Sequence, residues 1–402
     1  MTWQRTVPLS QVADVFNGKT PSKAEQRSFG HPVLKIRDVT ELGEFRGSFE
    51  SFVDDEFAST HASKKARVGD TLILNAAHNS AYVASKTFRV GPEASQALAT
   101  GEWLIVRPAP EQLNPDYAHH FLNSFGARTA IRDMVKGIHL YPKDVLRLRV
   151  PVPPLWEQQR IAEVLDRTDA LRARRRAALA KLETLTQAIF LDMFGDPAGH
   201  GWKMTTVRGI VGRGQGSIRT GPFGSQLLHS EFTESGIAVL GIDNAVSNEF
   251  RWGERRFISA AKYAQLRRYT VRPGDVLITI MGTCGRCAVV PMDIPTAINT
   301  KHLCCITVDR SKCLPQFLHA YFLMHPIAAK YLRQTAKGAI MSGLNMGIIQ
   351  AMPIPVPPLQ AQARFVLRLS AVDRLKSEHR ASLAELDTLF ASLQHRAFRG
   401  EL

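Results

Sequence analysis

The 402-residue chain has no uncharged apolar run near the ~18–20 residues that a bilayer-spanning helix requires. Its opening stretch, MTWQRTVPLSQVADVF, carries no apolar core of the kind a secretory leader needs. Cysteine is scarce: five residues, all between Cys284 and Cys313, suit a reducing cytoplasm better than a disulfide scaffold. Motifs that carry chemistry are also missing. A phosphate cradle ending in Gly18-Lys19-Thr20 needs an earlier glycine where Ala13 stands. An adenine-methylating enzyme needs an Asn/Asp-Pro-Pro-aromatic turn to hold a flipped base. The nearest strings, Asn114-Pro115-Asp116-Tyr117 and Leu314-Pro315-Gln316-Phe317, lack the second proline and read as helix starts. Cys284-x-x-Cys287 with Cys304-Cys305 is the one metal-like spacing. Its second pair is adjacent and chelates poorly, even with His302 as a substitute, so these thiols read as small hydrophobes in strands. No Ser-His-Asp or paired-carboxylate pattern stands out. The absences argue against a self-sufficient enzyme, and for a chain with no catalytic residues, cofactor or metal of its own.

Residues 155–194 lack both glycine and proline. The prolines at 151, 153 and 154 forbid helix before them and are tolerated at its threshold, so a helix is predicted from Leu155 to Phe194. At ~1.5 Å per residue it is roughly 60 Å long, which points to a coiled coil. Taking Ile161 as position a, the seam is Ile161, Val164, Thr168, Leu171, Arg175, Ala178, Leu182, Leu185, Ile189. A shift of 204 superposes residues 354–398 on this segment without a gap. The second seam is Phe365, Arg368, Val372, Leu375, His379, Ser382, Leu386, Leu389, Leu393. One long helix occurs twice, and the two copies are expected to pair antiparallel.

The remaining chain repeats more loosely. Residues 1–149 carry strand-like runs (HPVLKI, ARVGDTLIL, GEWLIVRP) and then a helical pattern from Asn114-Pro115. After a breaker cluster, GDPAGHGW, the runs AVLGIDN, YTVRPGDVLITI and LPQFLHAYFL take corresponding places. The predicted fold is α+β with a pseudo-two-fold internal repeat. A lobe at 1–149, a proline-led helix at 150–198, a second lobe at 199–352 and a second helix at 353–402 make up the chain.

With 51 Lys+Arg against 36 Asp+Glu, the net charge of +15 favours a polyanionic partner, nucleic acid above all. Two lobes related by a pseudo-two-fold can sit on neighbouring turns of duplex DNA, ~34–36 Å apart. Candidate contacts are polar residues in predicted turns. The first lobe offers Lys19, Lys35, Arg37, Asn75, His78, Asn79, His139 and Tyr141. The second offers Arg219, Ser225, Gln226, Asn244, Thr283, Arg286, Asn299 and Lys337. Arg and Lys suit guanine edges or phosphate, and Asn or Gln suits adenine. The run Arg172, Arg174, Arg175, Arg176 reads as an exposed basic helix face.

These residues resemble the specificity subunit of type I restriction-modification systems. The likeness covers essentially the whole chain. It is carried by VPVPPLWEQQRIAEVLD and its second copy PIPVPPLQAQARF, by RTGPFGSQL, RPGDVLITIMGTCGRCAVVP and GLN at 343–345, and by the terminal AFRGEL. The resemblance implies two target recognition domains, each reading half of a split site in double-stranded DNA, and a helical spacer that fixes the gap. It implies that the helices dock two methyltransferase subunits, which carry S-adenosylmethionine and methylate adenine, with room for a restriction and translocation subunit. It also implies a cytoplasmic protein. Two departures stand out. Cys284 replaces a residue that is often aliphatic in similar sequences, and Ala361 replaces Glu157 in the second helix, which implies unequal docks. The competing readings are a DNA-modifying enzyme with an unrecognised site and a coiled-coil adaptor for RNA or acidic proteins.

Overall fold

In the computed structural model the two duplicated runs are helices over Leu155–Phe194 and Leu359–Ala397. The structure describes residues 6–212, 214, 216–336 and 344–402. Two compact units emerge, one of residues up to Arg176 together with Arg380–Leu402, the other of Ala177–His379. They cut across the four segments expected from sequence, because each takes one lobe and half of each long helix.

The first unit contains β1 (Thr6–Pro8), β2 (Ala13–Asn17), β3 (His31–Leu34), β4 (Phe52–Val53), β5 (Thr71–Leu74), β6 (Thr87–Arg89), β7 (Leu98–Ala99), β8 (Trp103–Pro108) and β9 (Arg149–Pro151). An antiparallel sheet has the order β2-β8-β5-β6, a small sheet has the order β4-β3-β7 with β3 and β7 parallel, and β1 pairs β9. Strands β5 and β8 are apolar almost throughout because both their faces are covered. Alternate side chains point opposite ways. Ile73, Leu104 and Val106 meet the helices Pro115–Leu122 and Phe125–Asp133, together with Ile161, Ala162 and Leu165 of the central helix. Leu72, Trp103 and Ile105 meet Leu34 and Ala99 of the small sheet.

The second unit repeats this plan with β10 (Met204–Thr206), β11 (Ile218–Thr220), β12 (Phe232–Thr233), β13 (Ile237–Leu240), β14 (Phe257–Ile258), β15 (Thr270–Val271), β16 (Val276–Thr279), β17 (Cys287–Val289), β18 (Ala297–Asn299), β19 (Leu303–Ile306) and β20 (Pro353–Pro355). The sheets run β11-β19-β16-β17 and β12-β14-β13-β18-β15, and β10 pairs β20. Val276, Ile278, Cys304 and Ile306 face the helical side with Phe190, Phe194 and Phe365, while Leu277, Leu303 and Cys305 face the other sheet.

Two glutamines, 204 residues apart, fasten each long helix to its lobe. Gln158 donates to Pro153 O (2.8 Å) and Gln112 O (3.0 Å) and accepts from Asn114 N (2.8 Å). Gln362 donates to Pro357 O (2.9 Å) and Lys312 O (3.0 Å) and accepts from Leu314 N (2.8 Å). Both are fully buried.

Within each unit the helix segments run antiparallel. Arg172 meets Asp387 and Arg160 reaches Leu402 in the first; Glu183 meets Lys376 and Phe190 packs on Phe365 in the second. The predicted seam needs correction. Ile161, Phe365 and Val372 are buried, and Leu182, Ile189, Leu386 and Leu393 are half-buried, but Leu171, Leu185, Leu375 and Leu389 are 44–48% exposed. Val164 is half-buried, with Leu165 beside it fully buried. Ile161 begins the seam at the other core position of the heptad, so the next inward residues are Leu165, Arg172 and Thr186. Polar side chains hold those places because they find partners there. Thr186 Oγ1 donates to Leu182 O at 2.9 Å, and Arg172 lies 4.4 Å over the Phe390 ring while bonding Asp387.

Candidate nucleic-acid interface

Backbone hydrogen bonds draw five turns of the first lobe together. Lys19 N donates to Ala99 O (2.8 Å), Thr100 N to Leu34 O (3.1 Å), Asn75 N to Glu102 O (2.9 Å) and Leu140 N to Asn75 O (2.8 Å). The turns that follow β2, β3, β5 and β7 are thereby joined to the one at 136–141. Lys19, Arg37, His78, Asn79, His139 and Tyr141 are exposed on them, and Lys35 is half-buried. The same turns present Tyr82, Lys136 and Ile138, which sequence reading passed over. The signal available was Gly137, which sits at φ +62° and marks a tight turn.

Glycine at positions 18 and 221 has a structural cause. A Cβ there would lie 2.2 Å from Ala99 O, and one at Gly221 would lie 2.0 Å from Asn299 O. In each lobe the chain leaving the first strand of the four-stranded sheet crosses against backbone.

The second lobe gathers its turns likewise, through Gly221 N to Thr300 O (3.3 Å), Thr300 N to Leu240 O (2.9 Å) and Ile280 N to His302 O (2.9 Å). Ser225, Gln226, Thr283 and Arg286 are exposed, and Gln226 Oε1 accepts from Tyr269 OH at 2.7 Å. Lys337, and Gly343 of the GLN string, lie outside the described residues.

Four candidate contacts are corrected by burial. Asn75 is 4% exposed and its amide donates to Asn17 Oδ1 (3.1 Å) and Gly101 O (3.0 Å). Asn244 closes the turn after β13, accepting from Gly241 N (2.8 Å) and donating to Arg251 O (2.9 Å). Asn299 is wholly buried and donates to Leu303 O at 3.0 Å. Arg219 pairs with the buried Asp275 carboxylate and donates to Thr270 O (2.6 Å) and Thr307 Oγ1 (2.9 Å). The first lobe carries an equivalent pair, Arg107 with Asp70 at 2.6 Å. In both, the carboxylate also accepts from a backbone N–H three residues earlier, at Arg67 and Arg272. These asparagines and this arginine hold turns in shape.

On the central helix, Arg172 is taken up by Asp169 and Asp387, and Arg176 leans toward Asp387 at 3.4 Å. Glu157, singled out as a difference between the helices, is buried against Arg160 (2.6 and 2.7 Å), which also donates to Leu402 O at 3.0 Å. The Arg160 hydrogen bond holds the Glu157 carboxyl below its usual range. Nearby, His120 Nε2 and Arg89 converge on Asp166 at 2.8 and 3.1 Å. Adjacent His119 accepts at Nε2 from Asn123 Nδ2 (3.1 Å) and meets Thr71 Oγ1 at Nδ1 (3.3 Å). Burial, with His120 and Arg89 beside it, lowers its pKa to about 3, so the ring is neutral. Arg89, His119, His120 and Asn123 line a cleft of about 1260 Å³ in the first unit, together with Asp169, Arg172 and Arg176.

Cys287, Cys304 and Cys305 stand in strands β17 and β19, fully buried, and burial pushes the Cys304 thiol up to about 12. Among the described residues, no cluster of three or more His, Cys, Asp or Glu side chains is placed to hold a metal, and no helix is long and apolar enough to cross a membrane.

Residues 1–184 and 247–387 match the family described as the type I restriction modification DNA specificity domain. The specificity subunit of the type I restriction enzyme EcoBI from Escherichia coli is 24% identical, over 100% of this chain and 86% of that protein. Two solved structures share the fold. One is the S subunit of a type I restriction-modification system from M. genitalium (TM-score 0.58, 12% identity, 98% of this chain and 96% of that one). The other belongs to a study of complex assembly and conformational transition in a type I R-M system (TM-score 0.56, 20% identity, 99% and 98% covered). With more than half its length matched, carrying the two-lobe plan and the duplicated helix, the chain belongs to the type I restriction-modification DNA specificity family.

Proposed function

We propose that this chain is the DNA-reading subunit of a type I restriction-modification complex, with each lobe reading one half of a split site in double-stranded DNA. The observation that carries the reading is the repeat itself. The two lobes differ in their exposed turn residues, while the helices keep a gapless 204-residue repeat and the same glutamine fastening. Divergent readers on a constant mount are what an asymmetric, fixed-gap target requires. The basic balance of the chain supplies the sequence-independent attraction to phosphate.

The long helices set the gap and dock two methyltransferase subunits, which hold S-adenosylmethionine and carry out the chemistry; this chain binds no cofactor and catalyses nothing itself. A restriction and translocation subunit joins the same complex, and the assembly works in the cytoplasm. Single-molecule sequencing of modified adenines tests the reading, in cells carrying this chain with its neighbouring methyltransferase gene and in cells lacking it. The expected result is a split, asymmetric methylated motif that vanishes without the chain. Cofactor binding by the purified chain would favour an enzyme instead.

A further inference from the structure

We infer that the first lobe meets base edges with the turn at 136–141, where Ile138 makes an apolar contact and His139 and Tyr141 make polar ones. This rests on the reading of the chain as a DNA-recognition subunit and names the element that reads the first half-site.

The turn is built as a rigid probe. Lys136 and His139 exchange both backbone hydrogen bonds, at 2.9 and 3.1 Å, around the Gly137-Ile138 tip. His139 also bridges Ala76, and the next residue, Leu140, is 2% exposed and anchored in the lobe core. Leu140 N bonds the carbonyl of Asn75, whose own side chain is buried and held on Asn17 and Gly101. Asp144, 7% exposed at its side chain, takes the Lys136 ammonium at 2.9 Å and braces the turn from the other flank.

What this mount presents to solvent is unlike a phosphate contact. Ile138 at the tip is 44% exposed, and Tyr141 is 41% exposed with its ring 6.1 Å from that of His139. Tyr82, 63% exposed, lies on a neighbouring turn. A phosphate contact is made by a free cation, whereas here the Lys136 ammonium is taken by Asp144 and the tip side chain is aliphatic. An aliphatic tip beside a phenol and an imidazole matches a base edge, where thymine offers a methyl group and its neighbours offer donors and acceptors. A two-stranded turn is narrow enough for the ~12 Å major groove.

The test is selection of randomised duplex DNA by the complete complex with its methyltransferase subunits. Wild type is compared with Ile138→Ala, His139→Ala and Tyr141→Phe. The expected result is lost base preference at about one to three adjacent positions in one half-site. The second half-site and the gap stay unchanged, which also shows that the variants are folded. Replacing thymine by uracil within that half should weaken wild type about tenfold at one position and leave Ile138→Ala indifferent. Unaltered motifs in all three variants, losses spread over both halves, or no uracil-sensitive position coupled to Ile138 would overturn the assignment. Failure of wild type to select any split motif would instead overturn the recognition reading itself.

Discussion

Lys376 donates to Glu183 at 2.9 Å, and Arg172 donates to Asp387 at 2.6 Å; each cation and each carboxylate stands 204 residues from its counterpart. The same contact is made once in each unit, by different residues of the same charge. Lys376 is 5% exposed, so Glu183→Ala would leave a buried ammonium with the Asp373 carboxylate 4.0 Å away. We expect a loss of about 1–3 kcal/mol in urea unfolding of the purified chain. Lys376→Met, which removes the charge and keeps the length, should be neutral or mildly stabilising.

The paired glutamines give a second prediction. Gln158→Ala leaves the Pro153 and Gln112 carbonyls and the Asn114 N–H without this partner. The cost should be about 2–4 kcal/mol, with a similar value for Gln362→Ala. Gln158→Glu should be no better, since a carboxylate cannot donate to the two carbonyls. Denaturant midpoints for the three variants check this, and a near-zero effect at either position would mean that the helix starts are held by other contacts.

Acid should weaken the first unit through His119. Its folded pKa is near 3 against about 6.5 when unfolded, so the folded state favours the neutral ring. The stability this contributes is complete above about pH 6.5 and is lost as pH falls from there toward 3. At pH 5 the loss is about 2 kcal/mol. His119→Gln keeps an acceptor for Asn123 and a donor for Thr71 but does not titrate. The difference between wild type and variant in urea midpoint should therefore grow from pH 7 to pH 5 in the variant's favour.

Exchanging residues 1–149 for the first lobe of another family member should change one half of the methylated motif and leave the other intact. Removing seven residues at matched places in both helices, 174–180 and 378–384, should shorten the gap between the halves. Methylated-adenine sequencing reads both results. A change in both halves, or an unaltered gap, would show that the lobes are not independent readers or that the helices are not the ruler.

Much of the fold was legible because its signals are local. Prolines at 153, 154, 357 and 358 and the long runs without helix breakers mark both helices, and RVGDTLIL and RPGDVLITI mark central strands of the four-stranded sheets. The seam was misread because hydrophobicity favours Leu171 over Arg172, whereas burial follows the partner, and Asp387 is 215 residues away. Four of the candidate contacts were misread in the same manner. Asn75 looks like an adenine reader until Asn17, 58 residues earlier, claims its amide. For His139 and Tyr141 only the exposure was legible, because no distant side chain among the described residues covers them.

The two Arg–Asp pairs, each on a buried aspartate, bear on how these lobes can be recombined. Phe16 faces Ile105 across β2 and β8, and Arg219 faces Cys305 across β11 and β19, so Arg219 occupies the place of Phe16. Arg107, two residues beyond Ile105, corresponds to Thr307. The guanidinium has changed strands while its carboxylate stayed put. A hybrid lobe spliced between these strands would give its aspartate two guanidiniums or none, although either parent sequence looks unexceptional on each side of the join. Productive crossovers between the two lobe sequences of this chain should therefore fall outside the lobes, and a crossover inside one should demand a second substitution on the opposite strand.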